Sequence, residues 1–154
     1  MLFRSVNFGD VLDAGTGDLT VALWYKARES SSSAGPQALL VKGLTGGKDG
    51  YELLLNAGKL RWDLQGSGIT AFDTTTSEPS LNVWHHVAGV LNRSTNTALL
   101  YLDGVEVNSK SVSVGNLDNS VSLGIGALNR EGLTGLGETE QFFNGSIDDV
   151  HIID

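Results

Sequence analysis

The 154-residue chain has no cysteine, only two prolines and a single methionine. Without cysteine there is no disulfide framework, no thiol nucleophile and no thiolate zinc site. Positive charge is scarce as well, with ten Lys and Arg against 18 Asp and Glu, a net charge of −8. No basic run is available to neutralise phosphates, which argues against a nucleic-acid partner. No apolar run approaches the length that crosses a bilayer, which argues against membrane insertion. The opening residues, Met1 to Phe8, lack a basic region followed by an apolar stretch and do not read as a signal peptide. Helical periodicity is also missing, since no window beyond about ten residues keeps the 3.6-residue repeat.

Glycine, at 20 residues, is what the chain has in plenty, and 40% hydrophobic with 18% charged residues is an ordinary globular composition. The length suits one domain over residues 1–154, with a sizeable core. Strand-like segments recur every eight to twelve residues or so, between clusters of Gly, Asn, Asp and Ser. They fall around Ser5–Phe8, Leu19–Lys26, Ala38–Lys42, Tyr51–Leu55, Lys59–Gln65, Trp84–Leu91, Ala98–Leu102, Val105–Val107, Ser122–Gly126 and Ser146–Ile153. Leu19, Val21, Leu23 and Tyr25 share one face and Ala22 and Trp24 the other, which predicts a central strand covered on both sides. Lys59–Gln65 alternates Leu60, Trp62 and Leu64 with Arg61, Asp63 and Gln65, which predicts one wet face. Asp103-Gly104 and Asn56-Ala57-Gly58 read as hairpin turns, because Gly takes the positive φ such turns need. Ser30–Ser33 reads as a flexible loop tip, Leu81-Asn82 as the one place for a helical turn, and Leu128–Gln141 as the longest structureless stretch. The spacing argues for an all-β antiparallel sandwich or barrel.

The order of motifs narrows this reading. Leu19-Thr20-Val21-Ala22-Leu23-Trp24, Lys42-Gly43 with Gly50-Tyr51-Glu52-Leu53, Trp84-His85-His86-Val87-Ala88, Tyr101-Leu102-Asp103-Gly104, Leu123-Gly124-Ile125-Gly126 and Phe143 to Val150 occur in sequence. In that order the chain resembles the laminin-G-like and pentraxin-like domains of the concanavalin A-like lectin/glucanase superfamily, over nearly its whole length. The resemblance implies a two-sheet antiparallel jelly-roll sandwich. It places the N- and C-terminal strands side by side and the Trp and Leu of the motifs between the sheets.

Some relatives of that kind cleave β-glucans with acids spaced Glu-x-Asp-x-x-Glu. Glycoside hydrolysis needs two carboxylates flanking the scissile bond. Here Glu138-Thr139-Glu140 lies in a Gly-rich stretch, Asp63 is alone on its strand, and Asp148-Asp149 are neighbours expected to point apart. A Ser-His-Asp arrangement lacks its nucleophile elbow. The chain is therefore expected not to be an enzyme. His85 and His86 point to opposite faces, one toward the core or a partner and one toward solvent, and His151 is isolated, so a histidine zinc site is not expected.

The resemblance does imply a structural calcium where the first and last strands meet, and its matching positions are Gly9, Asp10 and Asp148. For sugar binding, an aromatic platform with polar neighbours is needed. Trp62 and Tyr51 alternate into the core, leaving Phe72 and the loop residues Asn129, Arg130, Glu131 and Gln141 as candidate ligand contacts. Two functions follow: a surface recognition or adhesion module for a glycan or glycoprotein, or a virion structural protein packing against neighbouring subunits, such as a phage decoration, fibre or tail module. A start at Met1 without a signal peptide, and an end just after the last strand segment, raise the second as an expectation. Either places the domain outside the cell or on a virion surface.

Overall fold

Period-two alternation gives the chain strands, eleven of them among the residues described by the computed structural model, 6–43, 49–66, 69–73, 77–127 and 142–154. In chain order they are β1 (Val6–Asn7), β2 (Leu19–Ala27), β3 (Gln37–Lys42), β4 (Gly50–Asn56), β5 (Lys59–Gln65) and β6 (Ile69–Asp73), then β7 (His85–Asn92), β8 (Thr97–Leu102), β9 (Val105–Ser111), β10 (Gly124–Ile125) and β11 (Gly145–Ile153). A single-turn helix, α1 (Ser31–Ala34), precedes β3. One sheet has the order β1-β10-β3-β4-β5-β6 and the other β11-β2-β7-β8-β9, every pairing antiparallel. This is the jelly-roll sandwich that the motif order implies.

The core lies between the sheets. Leu19, Val21, Leu23 and Tyr25 of β2 meet Tyr51, Leu53 and Leu55 of β4 and Leu60, Trp62 and Leu64 of β5. Trp62 is fully buried, and its ring lies against Gly89 so closely that a Cβ there would stand 2.4 Å from Cδ2. Glycine at that position of β7 is what admits the indole. The Tyr51 hydroxyl donates to the Leu12 carbonyl at 2.8 Å, tying the N-terminal segment to β4. Each such buried large side chain contributes about 1.5–3 kcal/mol.

The two predicted hairpin turns are present. Ala57-Gly58 has φ of 49° and 73°, Asp103-Gly104 of 51° and 78°, the paired positive values whose twist matches the flanking strands. Other expectations are corrected. The terminal strands are not side by side: β1 pairs with β10, and β11 with β2 in the opposite sheet. An apolar cavity of about 250 Å³ lies between the segment after β1 and β11, lined by Phe8, Val11, Leu12, Leu123, Ile125, Val150 and Ile152. Ser30–Ser33 is not a loose tip. Ser30 caps α1 by accepting from Ser32 N, and Glu78 holds the Ser30 and Ser31 hydroxyls and Ser31 N. Asn82, with φ of 61°, sits in a turn rather than a helix, and its N–H donates to Ala27. Strand β6, without a clear alternation, escaped the sequence reading. The stretch 128–141 lies outside the described residues.

Candidate functional site

Strand β2 is central, as predicted, but only its inner face is covered. Leu19, Val21, Leu23 and Tyr25 are at most 1% exposed, whereas Trp24 on the outer face is 40% exposed. Trp84, one residue before β7, is 39% exposed. These two motif tryptophans therefore do not fill the space between the sheets; Trp62 does. The reason is the layer count: a two-layer sandwich gives each sheet one inner face, and this side of β2 looks outward.

The outer face is ordered by register. Asp148 of β11, Trp24 of β2 and His86 of β7 form one cross-strand row. The Trp24 and His86 rings are 5.3 Å apart between centroids and tilted by 60°. In the next row the Lys26 ammonium stands 5.2 Å from the centre of the Trp84 ring, a cation–π distance. Beyond Trp24, Ala22 and Ala88 face each other, and Ala88 faces Tyr101 of β8, itself opposite Glu106 of β9. Small side chains at 22 and 88 lower the surface beside the Trp24 ring. The assembly is thus two accessible indoles rimmed by an ammonium, an imidazole, a phenol and a carboxylate.

One end of this face is fixed by His85 and Asp103. His85 is buried, as one of the histidine pair was expected to be. Its Nδ1 is 2.7 Å from Asp103 Oδ2 and its Nε2 3.2 Å from the Ser80 carbonyl oxygen. Asp103 Oδ1 accepts from His86 N at 2.9 Å, and Asp103 N donates back to the His86 carbonyl. Desolvation would raise the Asp103 carboxyl, but the hydrogen bonds from His85 and His86 and their charges outweigh it and hold the group below the usual carboxylate range. The turn that orients His86 under Trp24 is thereby clamped.

The predicted site residues fare differently. Asn129, Arg130, Glu131 and Gln141, with the Glu138/Glu140 pair, lie outside the described residues, and for Phe72 only the backbone is described. Gly9 follows β1 with φ of 75°. Asp10 lies beside it and pairs with the Lys42 ammonium at 2.6 Å, while Asp148 lies in the other sheet. Among the described residues no three His, Asp or Glu side chains are grouped to hold a metal. Asp148 and Asp149 do not point apart. A bulge at Asp149, φ 50°, breaks the alternation and exposes both, and Asp149 pairs with His151 at 2.8 Å, so that histidine is not isolated.

Asp63, alone on its strand, has a partner across the sheet. Glu52 stands opposite it, on the outer face of the six-stranded sheet, and the two are 1% and 2% exposed. Arg61 Nη2 approaches Asp63 Oδ2 to 3.0 Å. Burial first, and then the Asp63 charge, push the Glu52 carboxyl up to about 7 against the opposing pull of Arg61. The predicted wet face of β5 is therefore wet only at Lys59 and Arg61 and buried at Asp63 and Gln65.

The laminin-G family profile described as the concanavalin A-like lectin/glucanases superfamily matches residues 3–154, and the chain belongs to that family. No curated protein matches it in sequence. Among solved structures it is similar to the CBM40 of a Ruminococcus gnavus IT-sialidase bound to α2,3-sialyllactose (TM-score 0.70, 16% identity, 98% of this chain and 86% of that one). It is also similar to mouse laminin α1 chain domains LG4-5 (0.70, 14%, 99% and 38%) and to the binding domain of Paraclostridial Mosquitocidal Protein 1 (0.65, 18%, 79% and 32%). The chain spans about a third of the length of the last two. At these identities the likeness establishes the fold. Among the described residues no helix is long and apolar enough to cross a membrane.

Proposed function

We propose that this domain is a non-catalytic module that recognises a glycan, free or on a glycoprotein, through the outer face of β2 and β7. The observation that carries the reading is the pair of indoles at Trp24 on β2 and Trp84 just before β7, each about 40% exposed and within reach of Lys26 or His86. Large aromatic surface left in water costs free energy that a partner recovers. A pyranose offers an apolar face to stack on an indole and hydroxyls for a polar rim to hold. The sialyllactose-bound neighbour of the same fold supports a sugar as the partner class.

Carboxylate burial supports the non-catalytic part. Glu52 and Asp63 face each other across β4 and β5. Glycosidases place their pair about 5–9.5 Å apart. The closely spaced Glu52 and Asp63 are buried.

A glycan array that includes sialylated structures, probed with purified domain, tests the proposal. Trp24→Ala is expected to weaken binding about ten-fold or more, and Trp84→Ala comparably, with unfolding midpoints within a few degrees of the parent. Binding unchanged in both variants would move the site elsewhere. No glycan binding at all, with the protein found in repeating arrays, would replace recognition by an assembly role.

A further inference from the structure

Lys42 ends β3 with its side chain fully buried, an unusual place for a lysine. Its Nζ donates to Asp10 Oδ1 at 2.6 Å, the Asn119 carbonyl at 3.0 Å and the Val121 carbonyl at 2.7 Å, and Asp13 Oδ1 stands 3.0 Å away. Three protons are matched by three acceptors, and the fourth oxygen adds charge. The bonded residues are 32, 77 and 79 positions from Lys42 in sequence, so one ammonium joins the segment after β1, the end of β3 and the segment before β10. The same segments are stitched around it: Asn119 N donates to Asp13 Oδ1, Gly15 N to Asp118 Oδ1, and Leu117 N to the Gly15 carbonyl.

Two carboxylates and two backbone carbonyls converging on one point are the donor set a hard divalent cation uses. An ammonium there leaves the cradle with one net negative charge, which a divalent ion would cancel. We propose that the Lys42 ammonium is the structural cation of this domain, doing the work of a metal ion, so that residues 10–13 are clamped to residues 119–121 without one. The cradle keeps a cation's geometry, and emptying it of the ammonium creates a calcium site.

Thermal unfolding in EDTA and in millimolar calcium chloride tests this. The wild-type midpoint is expected to be the same in both. Lys42→Ala is expected to lose about 10 °C in EDTA, from two carboxylates left without their cation, and to regain at least half of it with calcium. Adding Asp10→Asn and Asp13→Asn to that variant should abolish the recovery. Lys42→Met, which keeps most of the stem, serves the same comparison if the alanine variant does not fold. A wild-type midpoint raised by calcium, and no longer raised in Asp10→Asn, would overturn the proposal. So would Lys42 variants indifferent to calcium, or variants that stay unfolded at every calcium concentration.

Discussion

The two outer faces of the sandwich invert the usual disposition of side chains. On the six-stranded sheet Val41, Glu52 and Asp63 form one cross-strand row and Ala38, Leu54 and Arg61 another, and all but Arg61 are buried. On the five-stranded sheet Trp24 and Trp84 are open to water. One face hides carboxylates and the other displays indoles, and each costs free energy relative to the reverse arrangement. The pairing teaches that alternation decides which residues share a face, whereas coverage of that face is a separate matter settled by the rest of the chain.

The largest expected effect comes from treating one cation on each face alike. Arg61→Ala removes the guanidinium beside buried Asp63 and its neighbour Glu52, and the expected cost is about 3 kcal/mol, because a buried charge loses part of its compensation. Lys26→Ala removes a surface cation–π contact and should cost about 1 kcal/mol or less. Urea unfolding of both variants measures the contrast. Equal costs would show that the two faces are electrostatically equivalent and would break the comparison.

Glu52 gives the next effect, through pH. Its folded-state carboxyl is raised from 4.5 to about 7, so the folded form holds the proton more tightly than the unfolded chain. The associated stability is fully present below pH 4.5 and is lost as the pH rises toward 7. Its size is at most about 3 kcal/mol. Among the described residues Glu52 Oε1 has no hydrogen-bond partner, in keeping with a group that resists ionisation. Glu52→Gln should flatten this slope, leaving the variant the more stable protein at pH 8 and no more stable at pH 4.5. A wild-type slope that survives the substitution would assign the titration to another group.

Much of the fold was legible because it is written in local chemistry. Trp62 and Tyr51 alternate with charged neighbours and lie in the core as read. Asp103-Gly104 needs only its own backbone to make a turn, and adjacent strand residues such as His85 and His86 must diverge. The open site was less legible. Trp24 stands among apolar neighbours, and period two is blind to which face a second layer will cover. Lys26, on the same face as Trp24, was the available hint that this side looks outward. The Glu52–Asp63 pair and the Lys42 cradle were hidden for another reason: each depends on register between distant segments, which no local pattern encodes.

The smallest effect belongs to the clamp at the edge of the open face. The Asp103 carboxyl is held below 3.8 by His85 and His86, so its contribution is present above that value and lost as the pH falls below it, opposite in sign to Glu52. With the side chain 49% exposed, solvent screens the interaction, and about 1 kcal/mol is the most expected. Asp103→Asn should be slightly less stable than the parent at pH 7, the gap closing as the pH falls below 3.8. Because Asp103 also accepts from His86 N, Asp103→Ala, which removes that acceptor altogether, should loosen His86 beside Trp24 and weaken glycan binding more than it weakens the fold. Loss of stability without loss of binding would separate the clamp from the site; loss of binding alone would place the imidazole's position among the determinants of recognition.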